Sequence, residues 1–109
     1  MMNFPKISDA ERFEKLQPPS GTVRMVLDTD TYNEIDDQFA VVHALLSPEK
    51  LKVEALYAAP FFNRRSTGPD NGMELSYEEI LRLLDRLNAP DRNMAFRGSP
   101  GFLQDYEHP

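Results

Sequence analysis

Cysteine is absent from the 109 residues, which excludes disulfides, thiolate metal sites and a cysteine nucleophile. Basic charge is scarce: 12 Lys and Arg stand against 18 Asp and Glu, for a formal net charge of −6. Nucleic acid is therefore not an expected partner, since phosphate binding calls for basic patches. No apolar run approaches the roughly 20 residues of a membrane-spanning helix, and the N-terminus lacks the basic-then-apolar order of a signal peptide. No membrane partner is expected, and a soluble cytoplasmic protein is the default. The length allows one domain at most, with a modest core.

What is plentiful is acid, and it is concentrated. Asp28, Asp30, Asp36 and Asp37, with Glu34, fall within ten residues. Val23, Met25, Val26 and Leu27 precede them as a short apolar run with β-branched content, which reads as a buried parallel strand rather than an alternating half-exposed one. Its carboxyl end is Asp28. Side chains two apart in an extended chain share a face, so Asp28 and Asp30 are expected to point together and Thr29 away. Ile35, Phe39, Val42, Leu45 and Leu46 then recur at three- and four-residue spacing, predicting a helix of about three turns that ends near Ser47-Pro48. Asp36 and Asp37 fall in its first turn.

A helix dipole favours acids there by only about 0.3–1 kcal/mol each. Two carboxylates about 4 Å apart repel by about 4 kcal/mol at an effective dielectric near 20. If Asp30 and Asp37 converge, repulsion wins, and the pair needs either a raised pKa or a bound cation. An all-oxygen set suits Ca²⁺ or Mg²⁺. Successive helical residues diverge by about 100°, so Asp37 can hold an ion while Asp36 faces the space beside it. Ordinary caps and solvated turns explain the same acids on composition alone. Position favours a site, because open α/β sheets bind ligands at the carboxyl ends of their strands.

The rest of the chain fits alternating elements. Residues 1–20 read as a polar arm with a short helix over Ser8 to Leu16, capped by Ser8, anchored by Phe13 and Leu16 and closed by Pro18-Pro19. Residues 21–109 carry the domain. Leu51 to Ala59 supplies a second strand and a right-handed βαβ unit. Asn63 to Met73 reads as a long loop, in which Arg64 and Arg65 serve solubility. Ser76 and Glu79 match a capping box, opening a helix whose stripe is Ile80, Leu83, Leu84 and Leu87. Asn88-Ala89-Pro90 ends it. Met94-Ala95-Phe96 reads as a third strand entering Arg97-Gly98-Ser99-Pro100. His43 is expected to be partly buried in packing, and His108 lies in a polar tail.

Two stretches carry a family resemblance. Val26-Leu27-Asp28-Thr29-Asp30, followed by Asp36-Asp37-Gln38-Phe39-Ala40, resembles the N-terminal signature of the nucleoside hydrolase family of the inosine–uridine preferring type. Val53 to Ala59 leading to Pro60-Phe61-Phe62-Asn63 is similar to that family's second strand and the asparagine after it. Between the acidic pairs this chain has Thr31-Tyr32-Asn33-Glu34-Ile35, five residues where the family usually has three with a Pro-Gly turn. That departure marks a divergent branch and bears on substrate choice more than on metal binding. The resemblance spans Val23 to about Phe102.

The resemblance implies an α/β fold: the N-terminal βαβαβ part of a doubly wound, mostly parallel Rossmann-like sheet, with later segments of a longer chain expected to complete the site. The first strand, central in a full sheet, would here be an exposed edge, which predicts marginal stability or association. The implied activity is hydrolysis of the N-glycosidic bond of ribonucleosides with Ca²⁺ as cofactor, a small-molecule nucleoside as partner, and a homo-oligomer at full length. Carried over residue by residue, Asp30 matches the calcium ligand that also serves as catalytic base, and Asp37 its fellow ligand. Asp36 and Asn63 match ribose-hydroxyl contacts, and Asp28 a supportive acid. The 109 residues alone are expected to be inactive.

Two alternatives stay open. An apolar strand ending in Asp-x-Asp also resembles Mg²⁺-dependent phosphatases of the haloacid dehalogenase superfamily, although Tyr32 stands where those usually carry Thr or Val and Asp36-Asp37 has no role. The other is a truncated, non-catalytic relative. An EF-hand loop fails, because Tyr32, Asn33 and Phe39 occupy positions that need an oxygen ligand, a glycine and a bidentate acid.

Overall fold

The computed structural model describes residues 5–91 and 93–104. In chain order these form α1 (Asp9–Lys15), β1 (Val23–Thr29), α2 (Ile35–Leu45), β2 (Leu51–Ala58), α3 (Pro69–Arg86) and β3 (Ala95–Arg97). The three strands make one open, all-parallel sheet in the order β1-β2-β3. The chain therefore has an α/β architecture with alternating elements. Among the described residues no helix is long and apolar enough to cross a membrane. His108 and the polar tail from 105 onward lie outside the described residues.

Both long helices cover the same face of the sheet. Val41 of α2 joins Met73, Ile80, Leu83 and Leu84 of α3, Leu56 and Ala58 of β2, and Ala95 of β3 in one buried cluster. Ile80, Leu83 and Leu84 of the stripe expected of the second long helix are thus core, Ile80 and Leu84 fully buried, while Leu87 is the half-buried C-cap. Burying one such side chain contributes about 1.5–3 kcal/mol, so this cluster holds the domain together.

The opposite face is bare, and this corrects the reading of β1. Burial alternates along the strand: Val23, Met25 and Leu27 are half-buried and Thr29 buried, while Arg24, Val26 and Asp28 are exposed. A parallel strand is buried on both faces only when helices cover both. Here α2 and α3 occupy one side, and β1 is an edge strand, as expected for this stretch of chain. On the bare side Tyr57 of β2 stacks on Phe96 of β3 with ring centroids 5.3 Å apart.

Helix α2 has the predicted span but buries other residues. Val41 and Ala44 face the core, whereas Ile35, Phe39 and Leu46 are each more than 60% exposed. His43 is exposed rather than partly buried. The short α2 meets the sheet through a narrow stripe, and the larger side chains project outward.

The long loop and the capping box are also corrected. Helix α3 begins at Pro69, with Gly68 as its N-cap. Proline at the first helical position loses no hydrogen bond, and its fixed φ suits the helix. Ser76 and Glu79 lie mid-helix and are buried. Thr67 N–H donates to Asn71 Oδ1 (3.0 Å), tying the loop to the first turn instead.

Helix α1 is capped by Ser8, whose hydroxyl accepts from Glu11 N–H (3.2 Å). Phe13 and Leu16, the expected anchors, are exposed, and the helix buries no residue.

Candidate functional site

The carboxyl ends of β1 and β2 bring two loops together. Thr29 O accepts from Ala59 N–H at 2.9 Å, which fixes the height at which the chain leaves each strand. After β1 the chain turns at Asp30, whose carbonyl accepts from Asn33 N–H (2.7 Å). Thr31, fully buried, donates its hydroxyl to Ser76 O of α3 (2.9 Å), bolting the turn to that helix. The second loop leaves β2 along Phe61, whose backbone lies against Gly72 of α3. A Cβ on Gly72 would stand 2.0 Å from Phe61 O. Only glycine permits that approach.

Asp30 and Asp37 converge. Asp37 Oδ2 accepts from the Thr29 hydroxyl (2.9 Å) and from Asp30 N–H (3.0 Å), so the start of α2 is folded over the end of β1. The Asp37 carboxyl is pushed above its ordinary value, first by burial and next by the Asp30 side chain, while the Thr29 hydroxyl pulls it down. This is the electrostatic signature of two acids sharing one space without a counter-charge.

A polar relay extends from this pair to the second loop. Asn33 Nδ2 donates to Asp30 Oδ2 (2.8 Å), and Asn33 Oδ1 accepts from Asn63 Nδ2. Asn63 Oδ1 takes Arg65 N–H (2.9 Å). The Arg65 guanidinium donates to Tyr32 O and Asn33 O, so it braces the first loop. Assigning Arg65 to solubility alone is thereby corrected.

The other expected site residues do not join. Asp28 is exposed on the bare sheet face, beside an open cleft lined by Val26, Tyr57, Pro60 and Ser99. It does not point with Asp30, and Thr29, expected to point away, reaches Asp37 instead. Strand alternation ends at Thr29, and the turn that follows swings Asp30 back over the helix face. Asp36 is exposed in the first turn of α2. Thr29 is the residue that sequence reasoning missed, and Asn33 joins the site although loop surface is the plainer reading of its position. Asn33 carried a signal, since it stands in the extra loop length between the two acidic pairs.

The donors present are hard oxygens, which fit Ca²⁺ or Mg²⁺ rather than a softer metal. They are few: among the described residues no group of three or more His, Cys, Asp or Glu is placed to hold a metal ion. Two carboxylates supply a minority of the 6–8 oxygens that Ca²⁺ takes. No family model matches the chain, and neither a curated protein nor a solved structure matches it significantly.

Proposed function

We propose that this chain carries the cation-binding and ribose-binding half of a nucleoside hydrolase-type N-glycosidase site. The observation that supports it is the convergence of Asp30 and Asp37 at the carboxyl end of a parallel strand, with Asp37 held above its ordinary pKa. Asp30 and Asp37 would hold Ca²⁺, which when bound supplies positive charge that orders a water and sugar hydroxyls beside both acids. Asp30 would accept a proton from a water held beside its carboxylate. Asn63 contacts the ribose hydroxyls, while Asp36 and Asp28, which stand apart from the acid pair, are given no role. Asn33 keeps Asp30 and Asn63 at a fixed separation, so positioning is its role.

Loss of the base leaves the sugar carbon cationic, and an acid pair beside it suits that charge. The same acids leave the chain short of ligands and of a group to protonate the departing base. The 109 residues alone are therefore expected to bind Ca²⁺ weakly and not to hydrolyse nucleosides.

Calorimetric titration with Ca²⁺, repeated on Asp37→Ala, tests the reading. Heat of binding that the substitution removes supports it. Binding unchanged by Asp37→Ala, or none in the wild type at millimolar Ca²⁺, sinks it. Phosphate release from a generic phosphomonoester with Mg²⁺ would instead favour the phosphatase alternative.

A further inference from the structure

The outer edge of β1 is a backbone ladder without a partner among the described residues, and its side chains select one. Val23 N–H bonds Lys50 O (2.8 Å) and Thr29 O takes Ala59 N–H (2.9 Å). In a parallel pair the N–H and C=O of one residue point to the same side. Val23, Met25, Leu27 and Thr29 therefore turn their backbone groups to β2, and Arg24, Val26 and Asp28 turn theirs outward. Those three also carry the side chains of the bare face, and all three are exposed.

We propose that β1 pairs with β1 of a second copy of this chain, antiparallel and centred on Val26, to make one continuous six-stranded sheet. With the two-fold axis beside Val26, each outward residue meets an outward residue. Val26 faces Val26 of the second copy, and Arg24 faces its Asp28, twice by symmetry. All three are hydrogen-bonded pairs in antiparallel geometry, so every outward N–H and C=O of the strand finds a partner. Two-residue slips in either direction lose a backbone pair and set Val26 against a charge. A four-residue slip sets Arg24 against Arg24 or Asp28 against Asp28. Charge and backbone parity thus choose the same register.

The surroundings permit it. Arg24 engages Glu54 through Nε alone (2.7 Å), at an oxygen that Lys52 Nζ also meets (3.1 Å), and a guanidinium carries five N–H donors, so Arg24 can serve a second carboxylate. Gln38, which bonds Glu79, marks the flank of α2 that meets α3. Ala40, about 200° further round, lies on the flank away from α3 and is exposed, with Asp36 and His43 exposed on either side of it. The edge carries no proline, lysine or β-bulge to discourage pairing: the irregularity between Met25 and Val26 is a register shift against β2, on the inner side. The pairing rests on the β1 edge as the described residues leave it; a completed sheet of the nucleoside hydrolase type would fill that edge with another strand, so the two compete for β1.

Sedimentation velocity over a concentration series from micromolar to submillimolar tests it, with hydrogen exchange on the same samples. The expected result is a concentration-dependent dimer in which the Arg24, Val26 and Asp28 amides gain protection as dimer forms. Arg24→Asp and Asp28→Arg, singly, set like charges opposite each other and should each weaken dimerisation by about tenfold or more. The double variant Arg24→Asp with Asp28→Arg restores opposite charges and should recover dimerisation to within about threefold of wild type. Circular dichroism checks that each variant is folded, and Val26→Ser, which keeps the strand, should weaken the dimer without the charge signature. A monomer with these amides protected means another segment of the chain covers the edge. A monomer with them unprotected means that nothing does. Either overturns the proposal, as does a dimer indifferent to the single reversals or a double variant that fails to recover.

Discussion

Asp37→Asn is expected to stabilise the protein while destroying cation binding. Asp37 Oδ2 takes the Thr29 hydroxyl at 2.9 Å and the Asp30 amide at 3.0 Å, and an asparagine carbonyl oxygen can accept both bonds. What disappears is one negative charge beside Asp30. Two unit charges about 4 Å apart repel by about 1 kcal/mol in water and about 4 kcal/mol at an effective dielectric of 20, and a half-buried pair falls between. Accepting through a neutral oxygen gives back on the order of 1 kcal/mol. The net gain is about 1 kcal/mol, which raises Tm by roughly 4–8 °C in a domain of this size. The assay is thermal unfolding in chelator at neutral pH, with Ca²⁺ calorimetry on the same protein. The pH dependence has a definite sign. Asp37 lies above its ordinary value of 3.8 through burial and then the Asp30 side chain. Its contribution to stability is therefore full below the unfolded value and is lost as pH rises through the folded one. The wild type should approach the variant in Tm as the solution is acidified into the carboxylate range. A variant less stable than wild type at neutral pH, or a gap that widens on acidification, would refute the idea that the two acids repel.

Two buried polar residues of α3 give further expectations. The Arg82 hydrogen bonds hold Glu79 below its ordinary 4.5 despite burial, so its contribution is present above 4.5 and lost as pH falls through the lower folded value. Glu79→Gln should cost about 1–3 kcal/mol at neutral pH and flatten the acid limb of the denaturation curve, which urea titration at several pH values would measure. Ser76 Oγ is buried without a hydrogen-bond partner, so Ser76→Ala removes an unsatisfied hydroxyl while Thr31 keeps its bond to the Ser76 carbonyl. Stability should rise by about 1 kcal/mol by chemical denaturation.

Element order was legible because apolar runs and breakers punctuate this chain clearly. Val23 to Leu27, Ile35 to Leu46 and Ile80 to Leu87 each appear as an element where the pattern places one. Burial was less legible. Periodicity reports that a strand or helix has an apolar side, but neighbours decide which sides are covered. Val26 is exposed because no helix lies over that face, and Phe39 because α2 reaches the sheet through Val41 and Ala44. The start of α3 was hidden for a different reason. Ser76-x-x-Glu79 has the form of a cap, yet Pro69 and the contact of Gly72 with the Phe61 backbone carry the helix two turns earlier. At the site, spacing left the meeting of Asp30 and Asp37 open and the family resemblance paired them; the two do converge. Thr29 and Asn33 act through loop geometry that no spacing rule encodes.

That loop geometry makes α3 the support of the site, although it contributes no acid to it. The Asp30 turn is bolted to α3 through Thr31 and Ser76, and the Asn63 loop rests on α3 at Gly72. Gly72→Ala would bring a Cβ to 2.0 Å from Phe61 O and 2.8 Å from its C and N, all backbone atoms. The loop must then move away from the helix, carrying Asn63 from Asn33 and removing the brace on Asp30. Leu84→Ala removes a fully buried side chain twelve residues further along α3, about 18 Å away along the helix axis, and costs about 2–5 kcal/mol by leaving a cavity. Both variants should lower Tm. Only Gly72→Ala should also weaken Ca²⁺ binding, by the order of 10-fold or more that loss of a ligand-orienting contact carries. Measured by calorimetry at a temperature where both variants remain folded, equal losses would mean that cation affinity follows global stability. An unchanged affinity in Gly72→Ala would mean that Asp30 holds its place without Asn33, and the relay from Asn63 would then have no part in the site.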